Sequence, residues 1–381
     1  TFFENIHIFF GKFKIPRIVH PRFLYFCCVN LTINITSTSA SRINSVDFSN
    51  LAFGSTFSDH MFVCDYRDGQ WQNPEITPYA PMELSPAASV LHYGQAVFEG
   101  MKAFKDTDGS VWLFRPDQNA KRINKSAERL AIPQLPEELF LEGMKQLITL
   151  DKAWVKAGKG NSLYVRPFVF ASQAGVQASA ATEYRFMIIC APVASYYGGE
   201  VRVKIADHYS RAAQGGTGYA KAAGNYGGQF YPTQLAKSEG YQQIIWTDAA
   251  THEYIEEAGT MNLFFRIGNT LITAPTSDSI LDGVTRKSIL DLAAHLRLKT
   301  EVRMLRVSEL IEASKSGVLL EIFGSGTAVV VQPIKGFGYK GEKFETPLAE
   351  NSYALMLKEK LMDIQYNKAE DPFDWRYKVC D

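Results

Sequence analysis

The chain has 381 residues, with 40 Lys plus Arg against 40 Asp plus Glu and a hydrophobic fraction of 46%. That length exceeds what one hydrophobic core usually organises, so two domains are expected, and the composition excludes a disordered chain. A formal net charge of zero gives no electrostatic reason for nucleic acid or an anionic membrane as partner.

The cysteines are Cys27, Cys28, Cys64, Cys190 and Cys380. They are odd in number and no pair has metal-ligand spacing, so neither a disulfide framework nor a metal site is expected and a reducing compartment is favoured. Residues 1–45 stand apart. They carry Phe2, Phe3, Phe9, Phe10, Phe23 and Phe26, the basic Lys12, Lys14, Arg17 and Arg22, and then Thr36-Ser37-Thr38-Ser39-Ala40-Ser41. A poorly structured extension is expected here, either a targeting peptide or non-native upstream sequence, too interrupted by charge and proline to span a membrane.

The globular pattern starts near Phe48. After the turn Asp106-Thr107-Asp108-Gly109, residues 110–114 read as a strand. Residues 117–130 read as a helix, with Asp117 as N-cap and Ala120, Ile123, Ala127 and Leu130 on one face. A second helix is expected over 136–156, with Leu139, Met144, Leu147, Ile148 and Val155 as its buried stripe. Strands follow at 163–170 and 184–190. Beyond a candidate linker at 192–200, strands are expected at 201–205, 243–247, 263–267 and 270–273, and helices at 229–238, 286–296 and 307–316. Strands and helices mix without regular alternation, which points to an α+β architecture. The expected partition is an extension over 1–45, a small N-terminal domain over 46–191, the linker, and a larger β-rich domain over 201–381.

Four segments could carry chemistry. In Gln214-Gly215-Gly216-Thr217-Gly218-Tyr219-Ala220-Lys221-Ala222-Ala223-Gly224-Asn225-Tyr226-Gly227-Gly228 a lysine sits among small residues. Such neighbours let a flat ring approach and strip water from the amine, favouring a nucleophile. Taken alone, the same run reads first as a surface lysine in a flexible loop, and composition does not overturn that. In Tyr254-Ile255-Glu256-Glu257-Ala258-Gly259-Thr260-Met261-Asn262, Glu257 precedes the apolar run Leu263-Phe264-Phe265, where a carboxylate can hold a proton on a heterocyclic nitrogen, although in isolation it reads first as a solvated turn acid. Leu281-Asp282-Gly283-Val284-Thr285-Arg286 leads into a helix start suited to an anion, although alone it reads first as an ordinary turn. Glu321-Ile322-Phe323-Gly324-Ser325-Gly326-Thr327-Ala328 is expected to be a strand that breaks into a Gly-Ser-Gly-Thr nest. It lacks the spacing of a Walker loop, and no dinucleotide fingerprint follows a strand.

Further motifs are Leu91-His92-Tyr93-Gly94-Gln95-Ala96-Val97-Phe98-Glu99-Gly100-Met101-Lys102-Ala103-Phe104, Leu113-Phe114-Arg115-Pro116 and Leu163-Tyr164-Val165-Arg166-Pro167. Together, in order and approximate spacing, these motifs resemble the branched-chain aminotransferases among the fold-type IV pyridoxal-phosphate enzymes, over about Phe48 to Tyr366. The resemblance implies a two-domain, D-amino acid aminotransferase-like fold with pyridoxal 5'-phosphate as cofactor. It makes Lys221 the Schiff-base lysine, Glu257 the partner of the pyridine nitrogen and Tyr226 the partner of the ring hydroxyl. It gives Arg122, Val284, Thr285 and Thr327 to the phosphate, and Arg211 to a second cofactor-site position. It makes Tyr93, Phe98, Tyr164, Arg166, Thr260 and Ala328 substrate residues, with Arg166 meeting the side-chain carboxylate of glutamate.

The implied reaction moves the amino group of leucine, isoleucine or valine to 2-oxoglutarate, giving glutamate. A homodimer is implied, with a loop near residues 174–178 reaching the neighbouring pocket, and the cytoplasm is the expected compartment, a mitochondrial form being the alternative. Some animal members carry Cys-x-x-Cys after the last motif, where this chain has Val329, Val330 and Val331. Rival readings are a D-amino acid aminotransferase or aminodeoxychorismate lyase of the same fold, and a non-catalytic cofactor-binding protein.

Overall fold

Two antiparallel-rich sheets organise residues 33–381 of the computed structural model, which describes residues 31–194, 199–347 and 350–381. Residues 195–198 of the expected linker and 1–30 of the expected extension lie outside the described residues. The first sheet runs Asn34–Ile35, Gln70–Pro78, His60–Arg67, Tyr184–Val193, Ser162–Ala171, Met101–Lys105, Val111–Phe114 and Arg376–Cys380, with Ala96–Phe98 also paired to Ser162–Ala171. The second runs Lys299–Val302, Thr270–Thr273, Asn262–Ile267, Leu319–Gly326, Val330–Tyr339, Val201–Ile205, Gln243–Thr247, Tyr254–Ala258 and Leu305–Arg306, with Glu342–Glu345 on Val330–Tyr339. The architecture is the expected α+β.

Most strands before Val193 thus lie in one sheet and those from Val201 to Glu345 in the other. The last strand, Arg376–Cys380, returns to pair with Val111–Phe114, so the chain crosses between the sheets a second time. A shared apolar cluster ties them together. Phe104, Phe114 and Trp375 from the first pack with Phe264, Ile289, Leu292, Phe323, Leu357 and Leu361 from the second and its helices. Burial on that scale is the main stabilising term, at about 25 cal/mol per Å2 of apolar surface.

Five expectations change. Residues 33–45 are not a loose extension: Asn34–Ile35 pairs in parallel with Glu75 and Ile76, Thr38 N–H donates to His60 Nε2 (2.9 Å), and Ser41 Oγ donates to Asp59 Oδ2 (2.5 Å). Asp117 is not an N-cap. The helix is Pro116–Arg129, entered from Arg115 in the left-handed region (φ 50°), and Pro116 presets the first helical turn. The second helix stops at Leu150, because Asp151 turns its carboxylate to His60, whose Nδ1 lies 2.6 Å away, and a short 3-10 turn Lys152–Trp154 follows. The helix expected over 286–296 begins at Val284 rather than at Arg286. Finally, the strand Leu319–Gly326 does not break at its glycines. Gly324, Ser325 and Gly326 pair with Gln332, Val331 and Val330, so the turn comes at residues 327–329.

Candidate active site

A cavity of about 150 Å3 lies where both sheets contribute residues. Phe98, Gly100, Arg122, Tyr164 and Arg166 line it from the first sheet and its helix. Arg211, Lys221, Tyr226, Glu257, Thr260, Val284, Thr285, Thr327 and Ala328 line it from the second half. Lys221 and Glu257, 36 positions apart in sequence, therefore face one space.

The lysine is not in a free loop. Its N–H donates to Ser126 Oγ (2.8 Å), its carbonyl accepts from Phe98 N–H (3.1 Å), and Ala223 N–H donates to Ala96 O (3.0 Å), which pins the segment to the strand Ala96–Phe98. Ala220 and Ala222 are buried on either side, so no bulky neighbour fills the space. The amine donates to Tyr226 Oη (2.9 Å) and sits 4.8 Å from the centre of the Phe98 ring.

Glu257 is 5% exposed, on the strand Tyr254–Ala258. Arg211 Nη2 meets Oε1 at 2.7 Å, and Oε2 accepts from Asn262 Nδ2 (3.0 Å) and Leu281 N–H (3.2 Å). Burial pushes its pKa up to about 7, while Arg211 and the Leu281 amide pull it down. Desolvation wins even against an ion pair, so a further cationic N–H in the cavity would be welcomed by this carboxylate.

Arg122 reaches the cavity from the helix Pro116–Arg129, but its charge is largely matched. Nε and Nη2 donate to the two oxygens of Glu99 (2.7 and 2.8 Å), and Nη1 donates to Asp282 O (3.0 Å). A guanidinium has five N–H donors, so two remain. Val284 and Thr285 open the helix Val284–His295, whose N-cap Gly283 supplies no side chain, and their buried positions leave first-turn amides for an anion. Thr327 spends its hydroxyl on Gly100 O (3.0 Å), and Ala328 O accepts from Lys102 Nζ (2.6 Å), so two contacts from the first sheet fix this turn.

On the opposite wall, Arg166 Nη2 donates to Tyr164 Oη (3.0 Å), and its guanidinium lies 4.7 Å from the Phe98 ring centre. Its Nε is buried with no hydrogen-bond partner among the described residues, as is Arg211 Nε. Gly100 is required here: a Cβ would fall 2.0 Å from Tyr164 Oη. Four cationic side chains (Arg122, Arg166, Arg211, Lys221) face two carboxylates (Glu99, Glu257). The excess of two positive charges fits a dianionic phosphate or carboxylate ligand.

Tyr93 is the expected site residue that the structure does not bring in. It is 46% exposed, at the end of the short helix Ser89–Tyr93, and its hydroxyl donates to Val176 O. The helix turns it outward, onto the 174–178 loop. Lining residues that sequence reasoning missed include Phe53, whose ring lies 5.1 Å from Tyr164, and Asn262. Glu99 was missed as well, although a lone acid inside the apolar run 96–101 was a readable signal of a buried ion pair.

Residues 96–337 match the family model for amino-transferase class IV. The chain is 45% identical over 339 residues to branched-chain-amino-acid transaminase 1 of Bacillus subtilis (strain 168), covering 87% of this chain and 95% of that protein. It is 42% identical over 354 residues to branched-chain-amino-acid aminotransferase 2 of the same organism, covering 92% and 97%. The crystal structure of the branched-chain aminotransferase from the archaeon Thermoproteus uzoniensis with norvaline superposes with a TM-score of 0.69 at 22% identity, covering 84% of this chain and 99% of that one. With these matches over a site that sets a half-buried lysine and a buried glutamate on one cavity, the chain belongs to the class IV aminotransferases.

Proposed function

We propose that this protein is a pyridoxal-phosphate-dependent branched-chain L-amino acid aminotransferase, exchanging the amino group of leucine, isoleucine or valine with 2-oxoglutarate in a ping-pong cycle. The observation that carries the reading is the single cavity shared by Lys221 Nζ and the Glu257 carboxylate, the latter buried enough that desolvation outweighs its Arg211 partner. The residues present fit the cofactor: an amine for its aldehyde, an acid for its ring nitrogen, a phenol for its ring oxygen, and amides with an arginine for its phosphate. Bound pyridoxal 5'-phosphate supplies the electron sink that makes the substrate Cα proton removable.

Lys221 Nζ then takes that proton and returns it, with Tyr226 Oη 2.9 Å away to orient the amine. Glu257 keeps the ring nitrogen protonated, and Arg211 holds Glu257 in place. The two remaining donors of Arg122 and the amides of Val284 and Thr285 would hold the phosphate of the bound cofactor. Thr327 contributes through its amide, its hydroxyl being committed to Gly100.

Phe98, Tyr164 and Thr260 wall the substrate space, and Ala328 with Tyr164 takes the α-carboxylate. Arg166 meets the second carboxylate of glutamate while its flat face rests on Phe98, so one pocket serves an apolar and an acidic side chain. Tyr93 and the 174–178 loop serve the pocket of a second subunit in a homodimer, which accounts for their exposure. The small domain ends near residue 191 and the large one starts near 201, with the last strand contributed back to the small domain. The buried thiols of Cys64 and Cys190 suit a reducing compartment, the cytoplasm.

Measuring transamination of a panel of L-amino acids and D-alanine with 2-oxoglutarate tests the reading. Turnover of leucine, isoleucine and valine above the rest is expected. A preference for D-alanine, or no turnover with cofactor bound, overturns it.

A further inference from the structure

We propose that Glu256 is a positioning residue, fixing the 277–283 loop through Ser279 and thereby setting how Arg211 and Glu257 sit in the cavity. The inference rests on the reading of Lys221 and Glu257 given above. Neighbours on a strand point to opposite faces, so as Glu257 enters the cavity Glu256 turns away from it, and Glu256 is not among the lining residues. It is nonetheless 7% exposed, unusual for an acid that has no ion pair among the described residues.

Its Oε1 accepts a hydrogen bond from Ser279 Oγ, and its Oε2 is buried with no hydrogen-bond partner among the described residues. Ser279 belongs to a loop that meets the reactive groups at several points. Ser279 O accepts from Arg211 Nη2, Leu281 N–H donates to Glu257 Oε2 (3.2 Å), and Asp282 O accepts from Arg122 Nη1 (3.0 Å). Residues 284 and 285, next in the chain, open the helix proposed to hold phosphate. The loop also packs against the lysine segment with no slack: a Cβ on Gly218 would lie 2.6 Å from Ser279 Cα. One loop thus touches the acid, the arginine behind it and the phosphate arginine, and Glu256 holds that loop from outside the cavity.

Burial raises the pKa of the Glu256 carboxyl, with the Ser279 hydrogen bond and Arg211 opposing. A carboxyl that keeps its proton more readily suits a structural hydrogen bond better than a charge, because a neutral group costs less to bury. Gln at this position therefore preserves most of the contact, and Ala removes it.

The test uses the full chain loaded with pyridoxal phosphate and the variants E256A, E256Q, S279A and E256A/S279A. Two readouts are taken, the cofactor dissociation constant and the pH midpoint of the visible cofactor band. E256A and S279A are each expected to weaken cofactor binding roughly tenfold. Each should also move the midpoint upward, since a ring held less firmly in its protonated form repels the proton at Lys221 Nζ less. E256Q should recover most of both changes, and the double variant should be no worse than E256A, since both substitutions break one contact.

Parent-like values in E256A and S279A, or additive effects in the double variant, overturn the proposal. Should E256A fail to fold, S279A and E256Q decide on the same two readouts. A parent protein that binds no pyridoxal phosphate defeats the functional reading itself, whereas a parent that binds it beside unaffected variants defeats only the role of Glu256.

Discussion

The two walls of the cavity are built on different principles. On the cofactor side, nearly every charge is matched inside this chain: Arg122 by Glu99 and Asp282 O, and Glu257 by Arg211, Asn262 and Leu281. On the substrate side, Arg166 has, among the described residues, only Tyr164 Oη and the faces of Phe98 and Tyr164. A matched network holds one ligand in one pose. A wall of aromatic faces around one under-committed guanidinium can take two kinds of side chain.

Removing the group that touches both walls should have the largest effect. Lys221→Ala is expected to lower kcat by about 10^4-fold, the upper range for loss of a general acid-base group, and to abolish the visible cofactor band. Retained full turnover would remove the lysine from the chemistry. Next, Glu99→Ala tests whether the matched side depends on matching. It leaves the Arg122 charge buried and unpaired, a loss of about 4 kcal/mol in unfolding free energy by denaturant titration. A loss under about 1 kcal/mol would show that Arg122 relaxes to solvent.

A third effect follows from pH in the cofactor-free protein. The folded pKa of Glu257, about 7, lies above its ordinary value of 4.5, so between these limits the folded chain binds more protons than the unfolded one. This contribution to stability is complete below about pH 4.5 and declines as the pH rises to about 7, by on the order of 3 kcal/mol. The Arg211 pair moderates the change, and Glu257→Gln should flatten it. A parent and a Gln variant with parallel stability-pH curves would show that Glu257 titrates normally.

On the open wall, Arg166→Met should raise KM for 2-oxoglutarate by about 2 kcal/mol, roughly thirtyfold, with little change for leucine. Equal effects on both substrates would mean that Arg166 supports the wall rather than reading a carboxylate. The smallest change is expected from Tyr93→Phe, about 0.5 kcal/mol in kcat/KM, because only one part-exposed hydrogen bond to Val176 O is lost.

Legibility followed the same division. Val201–Ile205, Gln243–Thr247 and Thr270–Thr273 form at the bounds their apolar runs predict, since short buried strands declare themselves by composition. The hairpin of His60–Arg67 and Gln70–Pro78 was overlooked although Asp68-Gly69, both at positive φ (53° and 79°), is a readable turn signal. The Asp117 cap was misassigned because a proline at the first helical position did the work of starting the helix. Lys221 and Glu257 were readable through their motifs. Glu99 as the partner of Arg122, and the outward face of Tyr93, were not.

By itself the sequence determined which groups are present and which local conformations they prefer: a lysine among small residues, acids ahead of an apolar strand, helix starts free to receive an anion. Those are short-range properties, settled by side-chain size and by backbone preference within a few residues. Only the tertiary structure decided that Lys221 and Glu257 share a cavity, that Glu99 cancels much of the Arg122 charge, and that Glu257 is raised to about 7. Desolvation and ion pairing depend on which distant segments exclude water together, and no local pattern encodes that.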